Sequence, residues 1–193
     1  MSSDSGEKQS GLKAWEKLGS KVLQKTFAFD LCVQRLKSPR TGAEGDYFYL
    51  DLCNWVNIIP VTSDGMVVMI EQYRWGINEI TLEFPGGMLN QGETDPRQAA
   101  IREMVEETGY NSDVVEDLGY CHPNPAILNN LNFSFLALGV EKVSAQSLDQ
   151  GEDIAVRLVP LSELPSMIEQ QKITHSLSLT ALLRYYALYG LPK

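Results

Sequence analysis

Apolar and polar positions change their period along the chain, and the changes mark out its elements. Within residues 21–36, Val22, Phe27, Phe29, Leu31 and Val33 fall in partial alternation, the pattern of strands with one solvated face. Ser38-Pro39-Arg40-Thr41-Gly42 then reads as a turn, so this region predicts a small hairpin unit. Residues 47–52, 55–60 and 66–73 are β-branched and aromatic runs, the last two separated by the turn signal Ser63-Asp64-Gly65. After residue 95 the period becomes helical. Asp95 suits an N-cap, Pro96 the first helical position and Gln98 the return partner of a capping box, while Gly109 supplies a left-handed stop after Thr108. Residues 118–120, 133–140 and 154–160 predict further strands, 144–151 a loop, and two helices close the chain near 162–170 and 175–189. This order predicts an α+β fold, an α/β/α sandwich with a mixed sheet between helices, preceded by a small N-terminal β unit.

A chain of 193 residues suits one sizeable core with an appendage rather than two full domains. Residues 1–11, rich in Ser, Gly and charge, read as a flexible tail, 12–52 as the β unit and 53–193 as the main domain. The net charge of −9 argues against a nucleic-acid or anionic-membrane partner, since no basic excess exists to meet a phosphate backbone. A phosphate-bearing ligand must then be met by metal ions or by a few placed Arg and Lys. The N-terminus lacks the apolar segment of a signal peptide, and no apolar run reaches the roughly 18 residues of a membrane span, which predicts a soluble cytoplasmic protein. Cys32, Cys53 and Cys121 share no metal-like spacing, and His122 and His175 are the only histidines, so a zinc or histidine-ligated centre is not expected.

Residues 86–110 hold the densest chemistry. Residues three and four apart share a helix face, so Glu103, Glu106 and Glu107 present their carboxylates together. Alone, such a pattern is more often a solvated acidic face. Stacked like charges cost a few tenths of a kcal/mol per pair, and they make sense mainly beside a cation such as Mg²⁺, with Mn²⁺ as a substitute. Arg102 and Glu93 nearby, and Gly86-Gly87 ahead of them, favour the cation site.

The spacing Gly87-x5-Glu93-x8-Arg102-Glu103-Met104-x-Glu106-Glu107-x-Gly109-Tyr110 resembles the signature of the Nudix hydrolases, which cleave a nucleoside diphosphate linked to another moiety. That family's pattern has one residue fewer between the first glutamate and the arginine; the extra residue falls in or near Thr94-Asp95-Pro96 and leaves the carboxylate register intact. The resemblance implies Glu103 and Glu107 as principal metal ligands, Glu106 as a ligand or bridge to a second ion, and the carbonyl of Gly86 as a further ligand. It implies Arg102 and Glu93 as the pair that orients these groups.

Residues 15–190 further resemble the ADP-ribose and nucleoside diphosphate sugar pyrophosphatases of that family. Arg74 is placed like an arginine that binds phosphates or ribose, and Glu83 either bonds the ligand or forms a structural ion pair. Pro125 occupies a position associated with ADP-ribose-type substrates. Glu152 resembles the acid of a mobile loop, acting as general base or late metal ligand, with Asp149, Asp153 and Glu107 as substitutes. Trp15, Phe29, Tyr47, Trp55 and Trp75 are candidates for base stacking, although aromatics in strands are usually core. The resemblance implies Mg²⁺-dependent hydrolysis of nucleotide sugars by a homodimer whose N-terminal strands reach the partner. The alternatives are a housecleaning hydrolase of nucleoside triphosphates or dinucleotides, and a nucleotide-sensing module without catalysis.

Overall fold

The computed structural model describes residues 11–191, so the expected tail lies outside the described residues apart from Gly11. The chain divides into two compact units. The first runs through Leu52 and takes in Ala126–Asn129. It is an antiparallel meander of β1 (Glu16–Lys25), β2 (Asp30–Lys37) and β3 (Glu44–Asp51). The partial alternation read across 21–36 spans parts of two strands, β1 and β2. The chain reverses at Thr26, whose hydroxyl accepts the N–H groups of Phe29 at 3.0 Å and Ala28 at 3.3 Å. Such a hydroxyl-built turn needs no Gly or Pro, and two phenylalanines inside it mimic a strand. Within the same unit the Leu50 N–H donates to the Ile127 carbonyl at 2.8 Å, which is how the later segment joins it.

The second unit carries β4 (Trp55–Val61), β5 (Met66–Arg74), β6 (Glu79–Glu83), β7 (Gly86–Met88), α1 (Pro96–Thr108), β8 (Tyr110–Asn111), β9 (Val114–Cys121), β10 (Asn132–Leu138), β11 (Glu141–Lys142), β12 (Ile154–Pro160), α2 (Leu164–Glu169) and α3 (Ser176–Tyr189). Seven strands form one mixed sheet in the order β12-β5-β4-β10-β9, with β6 on β5 and β7 on β4. The β4–β10 pair is parallel and the others are antiparallel. Strands β6 and β7 fall where the hydrophobic pattern shows no run long enough to announce them.

Because successive strand residues face opposite ways, the sheet buries two separate cores. Ile59, Val67, Met69 and Leu136 pack with Leu164 of α2 and with Ala181 and Leu182 of α3. Val56, Ile58, Val68 and Phe135 pack instead with Ala99, Ala100 and Met104 of α1. The sandwich is therefore the expected one. Burying a side chain such as Ile58, Ile59 or Met104 completely contributes roughly 1.5–3 kcal/mol. No helix among the described residues is long and apolar enough to cross a membrane.

Helix α1 starts and stops by local chemistry. Asp95 accepts the Arg97 N–H at 2.9 Å, Pro96 fills the first position, and Gly109, at φ 74, ends the helix with its N–H on the Val105 carbonyl. The return bond expected of Gln98 does not form, and Gln98 is exposed. These caps set the register that turns Ala99, Ala100 and Met104 into the core and leaves the acidic face beside the loop that carries Gly86.

Candidate active site

Arg102 organises the acidic face of α1. Its Nε and Nη2 donate to the two oxygens of Glu93 at 3.0 and 3.1 Å, and its Nη1 donates to Glu103 at 2.9 Å and Glu106 at 2.8 Å. Glu93 is in turn held by the Asn90 N–H at 2.6 Å. The extra residue before the helix therefore does not cost Glu93 its reach, since the loop of residues 90–95 absorbs it. One guanidinium is shared among three carboxylates, and burial notwithstanding, these partners hold Arg102 well above the usual arginine range.

The Glu107 carboxylate is 2% exposed and accepts the Gly86 N–H at 2.8 Å. Strand β7 pairs with β4 and brings this glycine turn against α1. A Cβ added to Gly87 would lie 2.5 Å from a Glu103 oxygen, so only glycine allows the backbone this close to the carboxylate. Burial pushes Glu107 up to about 9, against the Gly86 N–H and with help from the charges of Glu103 and Glu152. Burial likewise raises Glu103 to about 7, with Arg102 opposing it. Among the described residues no three Asp, Glu, His or Cys side chains converge on one point at ligating range. The donors offered are all hard oxygens on two raised carboxyls, a set that fits Mg²⁺ or Mn²⁺ and would be relieved by either.

Arg74, at the end of β5, and Glu83, at the end of β6, form a two-point fork with contacts of 2.7 and 2.5 Å. Glu83 is 1% exposed and also accepts the Thr81 hydroxyl at 2.5 Å, with His175 Nδ1 2.9 Å away. Of the two roles read for Glu83 the structure shows the ion pair, because its carboxylate faces inward and is fully engaged. Arg74 uses only one edge of its guanidinium there. Its other N–H donors have no partner among the described residues, and its charge is felt by Glu107.

Glu152 lies in a turn that its own carboxylate closes, accepting the Asp149 N–H at 2.9 Å. Its charge nonetheless raises both Glu103 and Glu107. The loop is brought there by Gln146, whose amide donates to the Glu107 carbonyl at 2.6 Å, and by the Ser147 N–H, which donates to the Glu106 carbonyl at 2.8 Å.

Comparison with known proteins agrees with this geometry. The NUDIX domain family matches residues 54–179. The chain belongs to the Nudix hydrolase family. A relative from Bacillus methanolicus named methanol dehydrogenase activator is 33% identical over 65% of this chain and 68% of its own length. An ADP-ribose pyrophosphatase of Bacillus subtilis is 28% identical over 61% of this chain, and the match spans 64% of that relative, just under two thirds. The ADP-sugar pyrophosphatase of Mus musculus is 40% identical over a shorter stretch, 32% of this chain and 29% of its own. A crystal structure of an ADP compounds hydrolase superposes with a TM-score of 0.80 at 19% identity, covering 93% of this chain and 96% of that one, a likeness of fold.

In this Nudix hydrolase the structure therefore gathers Gly86, Glu103, Glu106, Glu107, Arg102 and Glu93 around one helix face, with Arg74 and Glu152 near enough to act on Glu107 electrostatically. Pro125 is exposed at the start of a turn. Of the aromatic candidates, Trp75 follows Arg74 and is 70% exposed, whereas Trp15 packs edge-on against Tyr47 in the N-terminal unit. Thr81, Gln146, His175 and Ser178 escaped the sequence reading. Each is an ordinary polar residue whose partner is set by the packing of helices and loops on the sheet, and no local pattern marks it.

Proposed function

We propose that this Nudix hydrolase cleaves, with Mg²⁺, the pyrophosphate bond of nucleoside diphosphate sugars, ADP-ribose among them, giving AMP and ribose 5-phosphate. The observation that carries the reading is the meeting of two raised, buried carboxyls, Glu103 and Glu107, with an arginine whose outer donors are aimed by a buried partner. Relatives named for ADP-ribose and ADP-sugar cleavage support it. Glu103 and Glu107, with Glu106 and the carbonyl of Gly86, would hold the cation, and Arg102 with Glu93 fixes their carboxylates. A bound Mg²⁺ supplies charge neutralisation at the diphosphate and a lowered pKa for water. Arg74 offers its outer edge to phosphate oxygens, a match of planar donors to tetrahedral acceptors. Glu152 takes the proton of the attacking water.

Chromatographic assay of the nucleoside monophosphate formed with Mg²⁺ from ADP-ribose, ADP-glucose, GDP-mannose, UDP-glucose, NADH, diadenosine polyphosphates and deoxynucleoside triphosphates tests the reading. Turnover is expected to be highest on ADP-ribose or ADP-glucose. Preference for triphosphates or dinucleotides would move the enzyme to the housecleaning class, and silence across the panel would leave a sensing module. In the same assay Glu152→Gln should lower kcat with little change in KM; a rise in KM alone would make Glu152 a recognition residue.

The N-terminal unit suits a homodimer interface. Among the described residues strand β1 pairs with β2 alone, which leaves its other edge without a strand partner there, and every residue in it is exposed, Leu18, Val22 and Leu23 included. Sedimentation at micromolar concentration is expected to return the dimer mass, and a fully active monomer would overturn this assignment.

A further inference from the structure

The amino end of α3 reaches the site from outside the signature. Its N-cap residue, His175, makes no capping bond of its own. Instead its Nδ1 lies 2.9 Å from Glu83 Oε2 and 3.1 Å from the Ser178 hydroxyl, which accepts the Phe84 N–H at 3.1 Å. The first turn of the helix is thereby tied to the residue after Glu83. The Glu83 carboxylate receives donors on both oxygens: Arg74 Nε and the Thr81 hydroxyl on Oε1, Arg74 Nη2 and His175 on Oε2. A carboxylate held from three side chains is a fixed template, and a fork bound to it has one orientation.

We infer that His175 is a positioning residue: by fixing Glu83 it aims the outer edge of Arg74 at the substrate's diphosphate. This rests on the proposed role of Arg74. Removing the imidazole leaves Glu83 one donor short and lets the Arg74–Glu83 pair rock, which weakens capture of the diphosphate and leaves the chemistry at phosphorus in place. Because Asn Nδ2 lies as many bonds from the backbone as His Nδ1, asparagine can restore the bond, and it is also a favoured N-cap.

The test is steady-state kinetics of the full chain on ADP-ribose with Mg²⁺. His175→Ala should raise KM about tenfold with kcat within about twofold of wild type, the size expected for one charge-assisted bond. His175→Asn should recover most of that loss. In an Arg74→Ala background His175→Ala should change KM by less than about twofold, because residues acting through one another are not additive. Should His175→Ala fail to fold, His175→Gln, whose amide sits one bond further out, takes its place with the same expectation. An unchanged KM, an equal rise in both backgrounds, or no recovery with asparagine overturns the inference. Wild-type protein that does not turn over ADP-ribose overturns the parent reading and this one with it; normal wild-type turnover with an indifferent His175→Ala overturns this one alone.

Discussion

Glu107→Gln is expected to lower kcat/KM by on the order of 100-fold or more while leaving the metal-free chain at least as stable as wild type. Partners that merely orient a metal ligand cost 10–100-fold when removed, and loss of a ligand should cost no less. The amide can still accept the Gly86 N–H, so the local backbone has no reason to move. The stability follows from the direction of the pKa change. Burial, with the charges of Glu103 and Glu152, raises Glu107 from 4.5 to about 9. A carboxyl raised on folding holds its proton more tightly in the folded state, so metal-free stability is greatest below 4.5 and falls as pH rises towards 9. Glutamine removes that decline, so the variant gains on wild type as pH rises from 4.5 towards 9. A cation reverses the sign, since it must displace the protons: Mg²⁺ activation of wild type should tighten as pH climbs from about 7 to about 9, the range set by Glu103 and Glu107. Thermal melts in EDTA and in Mg²⁺ across that range, beside kcat/KM, read both effects. Turnover retained in the variant would place the metal elsewhere.

The parts of the site legible in the sequence are those built within a helical turn or two. Asp95 and Gly109 bracket α1 by chemistry that any chain obeys, and their spacing alone puts Glu103, Glu106 and Glu107 on one face. Glu93 was readable for the same reason, because only a short loop separates it from Arg102. The burial of Glu107 was not. It depends on β7 pairing with β4, and β7 is only Gly86–Met88, too short for any periodicity. The environment of Arg74 was hidden for a related reason: Glu83 is brought to it by a β5–β6 pairing and His175 by a helix near the other end of the chain. The Thr26 turn was hidden for the converse reason, because Phe27 and Phe29 extend the apolar pattern of the strands through the residues where the chain reverses. Hydrophobic period reports which residues face a core; it does not report which strand edge or helix end supplies a polar partner.

Glu83→Gln should be the most destabilising single change in the second unit that removes no apolar packing. The wild-type carboxylate accepts from Arg74, Thr81 and His175 and donates nothing. An amide nitrogen on the Oε2 side would confront Arg74 Nη2 and His175 Nδ1, and on the Oε1 side Arg74 Nε, so either orientation sets donor against donor. Breaking one partner of a buried pair costs ~3–5 kcal/mol. The Arg74 side chain is 42% exposed and can rehydrate, which favours the lower end, about 3 kcal/mol. For a chain of this length that is a fall in Tm of roughly 6–12 °C. The pH dependence identifies the cause. Burial alone would raise Glu83, but the bonds from Arg74 and His175 outweigh it and bring the group from 4.5 down to about 2. A carboxyl lowered on folding contributes stability that is complete above 4.5 and is lost as pH falls towards 2. Wild type and variant should therefore differ most near neutrality and converge in acid, while KM for ADP-ribose rises further than in His175→Ala because Arg74 loses its template and not only a support of it. A gap in Tm as large at pH 3 as at pH 7 would mean that the ionised carboxylate is not what holds this corner of the site together.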